Sequence, residues 1–343
     1  MNWLRMLRVV VGLELAQRVR SVAFYVLLAI VAVVVGGIVV VLYTSLLSWP
    51  QGQGDIIFST TIFLVLLVAS LVTPALSGGS INGDRDAGVL ASTQVTQVTT
   101  SQLVLGKVLA SWIASLGFLA VCVPFLVWAA FMHGLRPEVV AISIPILIAE
   151  IGVISAIGVG LSGLIRKPVL SIVATYLVVA ALQVGTLIVF AVGSIALQAP
   201  MQQRQIEWEW DEATDVTTCV ERGTYEIEVP RPDRVWPVLA ANPYVIMSDA
   251  LPVDFSNGYP SDLFGSISVG VRMAQEPPQP ESCAAYGPMG APQSEPQDVY
   301  ERTTPSWFVG LALHLLLATG AVVGAIAATR APARTLAPGS RIA

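Results

Sequence analysis

Residues 22–47 read VAFYVLLAIVAVVVGGIVVVLYTSLL, a run without a charged side chain. At ~1.5 Å of rise per residue, a helix of this length crosses the ~30 Å hydrocarbon core of a bilayer. Five more long apolar runs follow it along the chain. They cover residues 58–76, 108–132, 139–165, 169–197 and 307–329. The sequence therefore predicts six transmembrane helices and an all-α, polytopic membrane protein.

The composition of the 343-residue chain supports this fold class. Hydrophobic types make up 55% of it and charged types 12%, about half the charged share of ordinary soluble proteins. Its mean hydropathy is +0.72. These values exclude a cytosolic enzyme and a disordered chain, because both would need far more polar residues. No basic patch exceeds a few residues, which argues against a nucleic-acid partner.

The polar residues concentrate in one segment between the fifth and sixth spans. Residues 198–305 hold 17 acidic and 6 basic side chains, whereas the rest of the chain holds 6 acidic and 12 basic ones. We predict a small, loop-rich domain of mixed secondary structure here. Residues 216–220 and 224–229 tend to alternate between polar and apolar types, which predicts a hairpin that turns at Glu221–Gly223.

Basic residues beside the spans predict the orientation in the membrane. One alternating set of flanks holds Arg5, Arg8, Arg18, Arg20, Arg85, Lys107, Arg166, Lys167, Arg330, Arg334 and Arg341. The short loops of the opposite set hold only Arg136. Because cytoplasmic flanks carry the excess of Lys and Arg, we expect both termini in the cytoplasm and residues 198–305 outside. The first span is too long for a cleaved signal.

This topology predicts a division of the chain into segments. They are a cytoplasmic N-terminal segment (1–21), five spans (22–197) with a cytoplasmic loop (77–107), an external domain (198–305), the last span (306–329) and a cytoplasmic tail (330–343).

The three cysteines fit this topology. Cys122 lies within the third span, where a small apolar packing role is the simplest interpretation. Cys219 and Cys283 both lie in the external segment, where disulfides persist. We therefore predict a Cys219–Cys283 bridge, with two unpaired thiols as the alternative.

The cytoplasmic loop reads SGGSINGDRDAGVLASTQVTQVTTSQLVLGK over residues 77–107. Asp84, Arg85 and Asp86 place three charges where the chain leaves the second span. Ser101 is predicted to cap a helix that continues through Lys107 into the third span. A solvated connection is one interpretation, but loops of this length are usually functional.

Three stretches in order resemble a known family. The run Asp84-Arg85-Asp86-Ala87-Gly88-Val89-Leu90, with Thr93 and Gly106-Lys107 after it, resembles the first cytoplasmic loop of type-2 ABC transporter permeases. That family has Glu-Arg-x-x-Gly-Thr-Leu, so Asp84 replaces its Glu and Val89 its Thr. Residues 14–25 are similar to its amphipathic N-terminal segment, and residues 236–250 (WPVLAANPYVIMSDA) to its Asn-Pro-aromatic stretch.

The resemblance implies a non-catalytic transport subunit with two kinds of protein partner. A separate ATP-binding cassette ATPase would bind the ATP, so this chain would need no cofactor of its own. A second permease copy or a paralogue would complete the transporter, which would work in export. The loop would dock on the ATPase through Asp84, Arg85, Asp86, Gly88, Thr93, Val95 and Lys107.

The chain carries no motif for catalysis of its own. At the single Gly-Lys pair, Gly106-Lys107, a nucleotide-binding loop would need a glycine at Ser101 and a hydroxyl at Val108. There is no HExxH or CxxC motif, and the two histidines make a zinc site improbable, so we expect neither an enzyme nor a metal protein.

Three polar residues within the spans are candidates for a transport pathway. They are Glu150, Gln183 and His314. A carboxylate at mid-membrane costs ~2.5–3.5 kcal/mol, so Glu150 is a functional candidate, with a structural hydrogen bond as the alternative. Gln183 and His314 are better explained as links between helices. Gly152, Ala156 and Gly160 predict a helix-packing face on the side of the helix away from Glu150.

Other functions remain open at this stage. A polytopic receptor or scaffold would use the external domain to bind a partner, and an ATP-independent channel or proton-coupled carrier would use Glu150. For a transporter, the apolar spans favour an amphipathic drug, lipid or peptide as substrate. The permease, the receptor or scaffold, and the channel or carrier all place the protein in the plasma membrane, in contact with lipid.

Overall fold

A computed structural model describes residues 3–46, 53–88, 98–132, 136–211, 216–256, 258–283 and 296–330. The chain forms two compact units. The large unit comprises Met1–Ala181 and Leu311–Ala343. The small unit comprises Leu182–Gly310 and contains most of the predicted external segment.

The large unit is helical. Its helices are α1 (Trp3–Val19), α2 (Val22–Leu46), α3 (Gln53–Ser77), α4 (Ser80–Asp86), α5 (Thr100–Met132), α6 (Pro137–Leu164), α7 (Pro168–Ala180) and most of α12 (Trp307–Thr329). Six stretches are long and apolar enough to span a membrane: Val22–Ser45, Ile56–Asp86, Thr100–Phe131, Pro137–Leu164, Pro168–Ala196 and Trp307–Thr329. All six predicted spans are thus confirmed as long apolar helices, which indicates a multi-pass membrane protein.

The core of the large unit includes the place where α5, α6 and α12 meet. One buried cluster consists of Ile81, Val104, Val159 and Ala325. In the neighbouring cluster, Ala156 of α6 packs with Ala318 of α12. Gly160 allows the close approach of these two helices, since a Cβ there would lie 2.5 Å from the Cβ of Ala321.

The small unit mixes short helices with two small sheets. After a π-turn at Ala181–Gly185 come α8 (Thr186–Ala196), β1 (Ala199–Asp211), β2 (Val216–Val229), 3₁₀ turns at Pro232–Arg234 and Trp236–Ala241, α9 (Pro243–Asp249), β3 (Phe255–Ser256), β4 (Tyr259–Pro260), α10 (Leu263–Met273) and α11 (Pro296–Arg302). Strand β1 pairs with β2 and β3 pairs with β4, both antiparallel. Leu239, Val245 and Val271 form the unit's buried apolar cluster.

The long β1–β2 ribbon corrects the predicted hairpin. Residues Val216–Val229 form a single strand, and the chain does not turn back at Glu221–Gly223. Between Arg204 and Ile206 of β1 the register shifts, and β2 contains one extra residue there. Such an insertion is a β-bulge, and Gly223 supplies its positive φ of 141°. The prediction was wrong because a glycine that marks a bulge has the same sequence signature as one that marks a turn.

Candidate functional site

Helix α4 lies near the start of the predicted ATPase-docking loop, residues 77–107. The residue before it, Gly79, has no side chain that could cap it. Instead the backbone N–H groups of Ile81 and Asn82 donate to the hydroxyl of Ser162 on α6, at 3.0 and 3.1 Å. Helix starts leave such groups without backbone partners, and here the end of another helix satisfies two of them. The start of α4 is therefore fixed to α6.

Asn82 extends this attachment to α7. Its buried side-chain amide donates to the carbonyl of Ile165 at 2.5 Å and to the hydroxyl of Ser171 at 3.0 Å. Its carbonyl oxygen accepts a hydrogen bond from Arg85 at 2.8 Å. Ser171 in turn donates to the carbonyl of Gly78. These bonds hold α4 against the short connection between α6 and α7.

Lys107 attaches α4 to two further helices. Its Nζ atom lies 2.6 Å from the carboxylate of Asp84 on α4 and 2.5 Å from that of Glu14 on α1. Only 1% of the lysine side chain is exposed, against 28% of Asp84 and 17% of Glu14. Lys107 therefore lies inside the protein as an anchor, while its two acidic partners keep some contact with solvent.

The start of α5 differs from the prediction. Thr99, rather than Ser101, caps this helix. The Thr99 hydroxyl accepts from the N–H of Gln102 at 3.3 Å, and the Gln102 side chain accepts from the N–H of Thr99 at 2.8 Å. This reciprocal pair is a capping box, and both Thr99 and Ser101 had suitable hydroxyls. Gln102 also donates to the carbonyl of Trp3, which joins α5 to α1.

The rest of the predicted docking residues divide into two groups. Asp86 and Gly88 are exposed at the end of α4, where Gly88 has a positive φ of 69°. Thr93 and Val95 lie outside the described residues. Helix α4 thus has one side bonded to four other helices and an end with exposed charge.

The structure brings two of the pathway candidates together. The Nδ1 atom of His314 on α12 lies 2.9 and 3.1 Å from the two carboxylate oxygens of Glu150 on α6. Each side chain is only 1% exposed. The prediction that Glu150 faces away from the small residues was wrong, since Gly160 packs against α12 as well. Sharing of a proton is the chemistry open to such a carboxyl–imidazole pair.

Gln183 belongs to the small unit and has a different environment. It lies in the π-turn, and its backbone carbonyl accepts a hydrogen bond from the Asn242 side chain at 2.8 Å. The same amide donates to the hydroxyl of Thr186 at 2.9 Å. The Asn242 carbonyl oxygen accepts from the N–H of Tyr244 and caps α9. The Asn-Pro stretch therefore satisfies a carbonyl released by the π-turn.

Asp249 is a buried acid that the sequence analysis missed. One of its oxygens accepts from Arg272 at 2.8 Å and from the Ser268 hydroxyl at 2.9 Å. The other accepts from the N–H and the hydroxyl of Ser306 and from the N–H of Trp307. Arg272 also stacks on a tyrosine ring and donates to two backbone carbonyls. The sequence did contain a signal for this buried pair, because an acid and an arginine stand within apolar stretches.

The predicted disulfide is confirmed in the small unit. Cys219 of β2 is bonded to Cys283, which follows α10. The N–H of Cys283 donates to the carboxylate of Glu221 at 2.9 Å, and Arg204 pairs with the same group. These contacts lower the pKa of Glu221, with the Cys283 hydrogen bond as the larger cause. Disulfides are typical of oxidising compartments.

No family model matches the chain, and no curated protein sequence matches it. Within the described ranges, no group of three or more His, Cys, Asp or Glu side chains could hold a metal ion. Inferences about function therefore rest on the residues and their contacts.

Proposed function

We propose that this chain is the membrane-spanning permease subunit of an ATP-driven ABC exporter. A separate ATPase subunit would bind and hydrolyse ATP, and a second permease copy or a paralogue would complete the assembly. Both termini would lie in the cytoplasm and residues 198–305 outside the plasma membrane. The substrate class that the apolar spans favour is an amphipathic drug, lipid or peptide.

One observation carries this proposal: the bonded environment of α4. An ATPase must push on an element that transmits force to the spans instead of yielding. Helix α4 is short and polar, and it is fixed to α6 by Ser162, to α7 by Ser171, and to α5 and α1 through Lys107. Its exposed end carries Asp86. A force on this end would reach four helices through buried polar contacts, whereas an unattached loop would absorb it.

The decisive experiment tests whether an ATPase uses this surface. The tagged full-length chain is purified from membranes of its own cells, and co-purifying chains with Walker motifs are identified by mass spectrometry. We expect an ATPase whose hydrolysis rate falls about tenfold with Asp86→Arg, the effect of losing one charge-assisted contact. Bulky substitutions at Thr93 or Val95 are expected to act similarly.

A matched variant serves as the control. Glu138→Arg makes the same charge reversal at an exposed acid on the predicted external side, where 55% of the side chain is exposed. This variant is expected to retain wild-type ATPase binding and activity. The proposal fails if no ATPase co-purifies with the wild-type chain, or if Asp86→Arg and Glu138→Arg behave alike.

The Glu150–His314 pair favours a second candidate, an ATP-independent proton-coupled carrier. A titratable pair buried among apolar helices is a common feature of proton relays. Transport by the purified chain alone in liposomes, driven by a pH gradient and without nucleotide, would support the carrier and contradict the exporter.

A further inference from the structure

Several buried hydroxyls in the spans of the large unit differ from the other hydroxyls there in their hydrogen bonding. Most hydroxyls of this kind donate to a backbone carbonyl one turn earlier in their own helix, as those of Thr61, Ser77 and Thr175 do at 2.6–2.8 Å. Ser111 and Ser115 of α5 are 0% and 2% exposed, yet neither hydroxyl has a hydrogen-bond partner among the described residues. A buried polar group without a partner is costly, so these two sites require an explanation.

The register of α5 shows which neighbours these serines face. Val104 and Val108 pack in the clusters that α5 forms with α6 and α12. Ser111 and Ser115 continue the same i, i+4, i+7, i+11 stripe. They therefore lie on the face of α5 that is directed at α6 and α12.

The depth of the serines matches that of the Glu150–His314 pair. Val159 of α6 and Ala325 of α12 share a cluster with Val104. Starting from that cluster, about three turns along α5 lead to Ser115, about two and a half turns along α6 lead to Glu150, and about three turns along α12 lead to His314. The indole N–H of Trp112 donates to the carbonyl of Ile148 at 2.9 Å, which fixes α5 beside α6 at this depth.

We propose that Glu150, His314, Ser111 and Ser115 form a proton-binding site inside the membrane-spanning unit. The pair is neutral when one proton is shared by the carboxylate and the imidazole. Loss of that proton leaves a buried net charge of −1, and gain of a second leaves +1. Because either charge is expensive to bury, the burial of the pair favours the state that holds a single proton. The serine hydroxyls, with water, solvate the deprotonated pair.

In the described parts of the helices packed around the pair, no other charge offers an alternative counter-ion. Residues 56–77 of α3 and 108–131 of α5 carry no Asp, Glu, Lys or Arg, and in α12 only His314 is charged or able to become so. Glu138 of α6 is exposed in the first turn of that helix. Tyr176 of α7 donates to the carbonyl of Leu71. Lys107, eight residues before Ser115, is already paired with two carboxylates ~12 Å along α5.

The chain allows a direct measurement of this proton. It has two histidines, so His133→Gln leaves His314 as the only imidazole. The full-length variant, with ¹⁵N-labelled histidine, is examined in lipid nanodiscs by NMR, and its protonated-carboxyl band by infrared spectroscopy. At pH 8 we expect either an imidazolium at His314 or a protonated carboxyl that disappears in Glu150→Gln. A neutral imidazole beside an ionised Glu150 would overturn the proposal.

Two comparisons separate this site from a merely structural pair. Glu150→Gln should convert His314 to a neutral imidazole at pH 8 or abolish the carboxyl band, whereas Glu138→Gln should change neither. The double variant Ser111→Ala/Ser115→Ala should raise the pH of proton loss by about one unit, the size of one lost hydrogen bond. Ser143→Ala, whose hydroxyl donates to Val140, is the matched control and should have no effect.

Each remaining outcome is also decisive. An unchanged pH of proton loss in the double serine variant would exclude the hydroxyls from the site. If Glu150→Gln does not fold, the wild-type spectra at pH 8 still decide whether the proton is present. The proposal is independent of the proposed ATPase partner, because the proton is measured on the isolated chain.

Discussion

Among the described residues, each unit buries one acid, and the two acids differ in their hydrogen-bond partners. Asp249 in the small unit accepts five hydrogen bonds, one of them from the guanidinium of Arg272. Among the described residues, the Glu150 carboxylate in the large unit has the imidazole of His314 as its hydrogen-bond partner. Both carboxylates are almost inaccessible to solvent, with 0% and 1% of the side chain exposed.

The difference separates a permanent charge from a removable one. Arginine does not lose its proton in proteins, and the remaining hydrogen-bonding capacity of Asp249 is filled by backbone and hydroxyl donors. Histidine, in contrast, is a side chain that can gain or lose a proton, and the Glu150 carboxylate has no arginine beside it among its hydrogen-bond partners in the described part of the chain. A buried acid alone therefore does not predict function; the identity and number of its partners do.

The largest effect is expected at Asp249, the acid whose two oxygens accept five hydrogen bonds. Asp249→Ala leaves Arg272 buried without its counter-charge and removes acceptors from Ser306 and Trp307. We expect a loss of about 3–5 kcal/mol in the free energy of unfolding of the small unit. Thermal unfolding and limited proteolysis of the purified chain measure it. Asp254→Asn, at an exposed acid in the same unit, should change neither measurement. Equal effects of the two substitutions would contradict the contrast between buried and exposed acids.

Lys107 is a third buried charge, and it tests whether solvent access to its partners reduces the free-energy cost of removing a charge. Lys107→Met removes a buried cation whose partners, Glu14 and Asp84, remain partly exposed and can rehydrate. We expect a smaller loss of about 2 kcal/mol, because the stranded groups are not fully desolvated. Chemical denaturation in mild detergent measures it. A loss as large as that of Asp249→Ala would show that partial exposure is not the deciding factor.

Glu150→Gln should have a smaller effect on stability. Glutamine keeps a hydrogen bond to His314 and leaves the buried site neutral, so we expect a loss below about 1 kcal/mol in the free energy of unfolding. Thermal unfolding of this variant beside Asp249→Asn makes the comparison direct. Similar losses in both would mean that the two buried acids are equivalent.

The smallest effect concerns Glu221, an exposed acid beside the disulfide. Its pKa is lowered in the folded chain by the Cys283 N–H and by Arg204. The stabilisation is complete above the ordinary glutamate pKa of about 4.3 and is lost as the pH falls through the lower folded pKa. Thermal unfolding between pH 3 and 6 should show a slightly steeper decline for wild type than for Glu221→Gln. Glu226→Gln, on the same strand, is the control.

The features that the sequence predicted well depend on local chemistry. Apolar runs such as residues 22–47 identify spans because length and composition suffice. The Cys219–Cys283 bridge was predictable because no other cysteine lies in the polar segment. By contrast, the glycine at Gly223 and the hydroxyl at Ser101 each permitted two local structures. Tertiary contacts decided between them.

The partners of the buried groups were not predictable from one sequence. Glu150 and His314 were each recognised, but 164 residues separate them. The sequence between them does not predict that α6 and α12 meet at that depth. The same holds for Asn82 and Ser162, whose hydrogen bonds attach α4. Pairing across such distances is a property of helix packing, which the hydropathy pattern does not specify.

The π-turn at Ala181–Gly185 makes the small unit sensitive to chain length. A π-turn holds one residue more than an α-helical turn, so deleting a single residue there would restore regular helix. The carbonyl of Gln183 would then return to the helix ladder, and the Asn242 amide would lose this acceptor. Point substitutions in this segment are therefore expected to be far better tolerated during evolution than insertions or deletions of one codon.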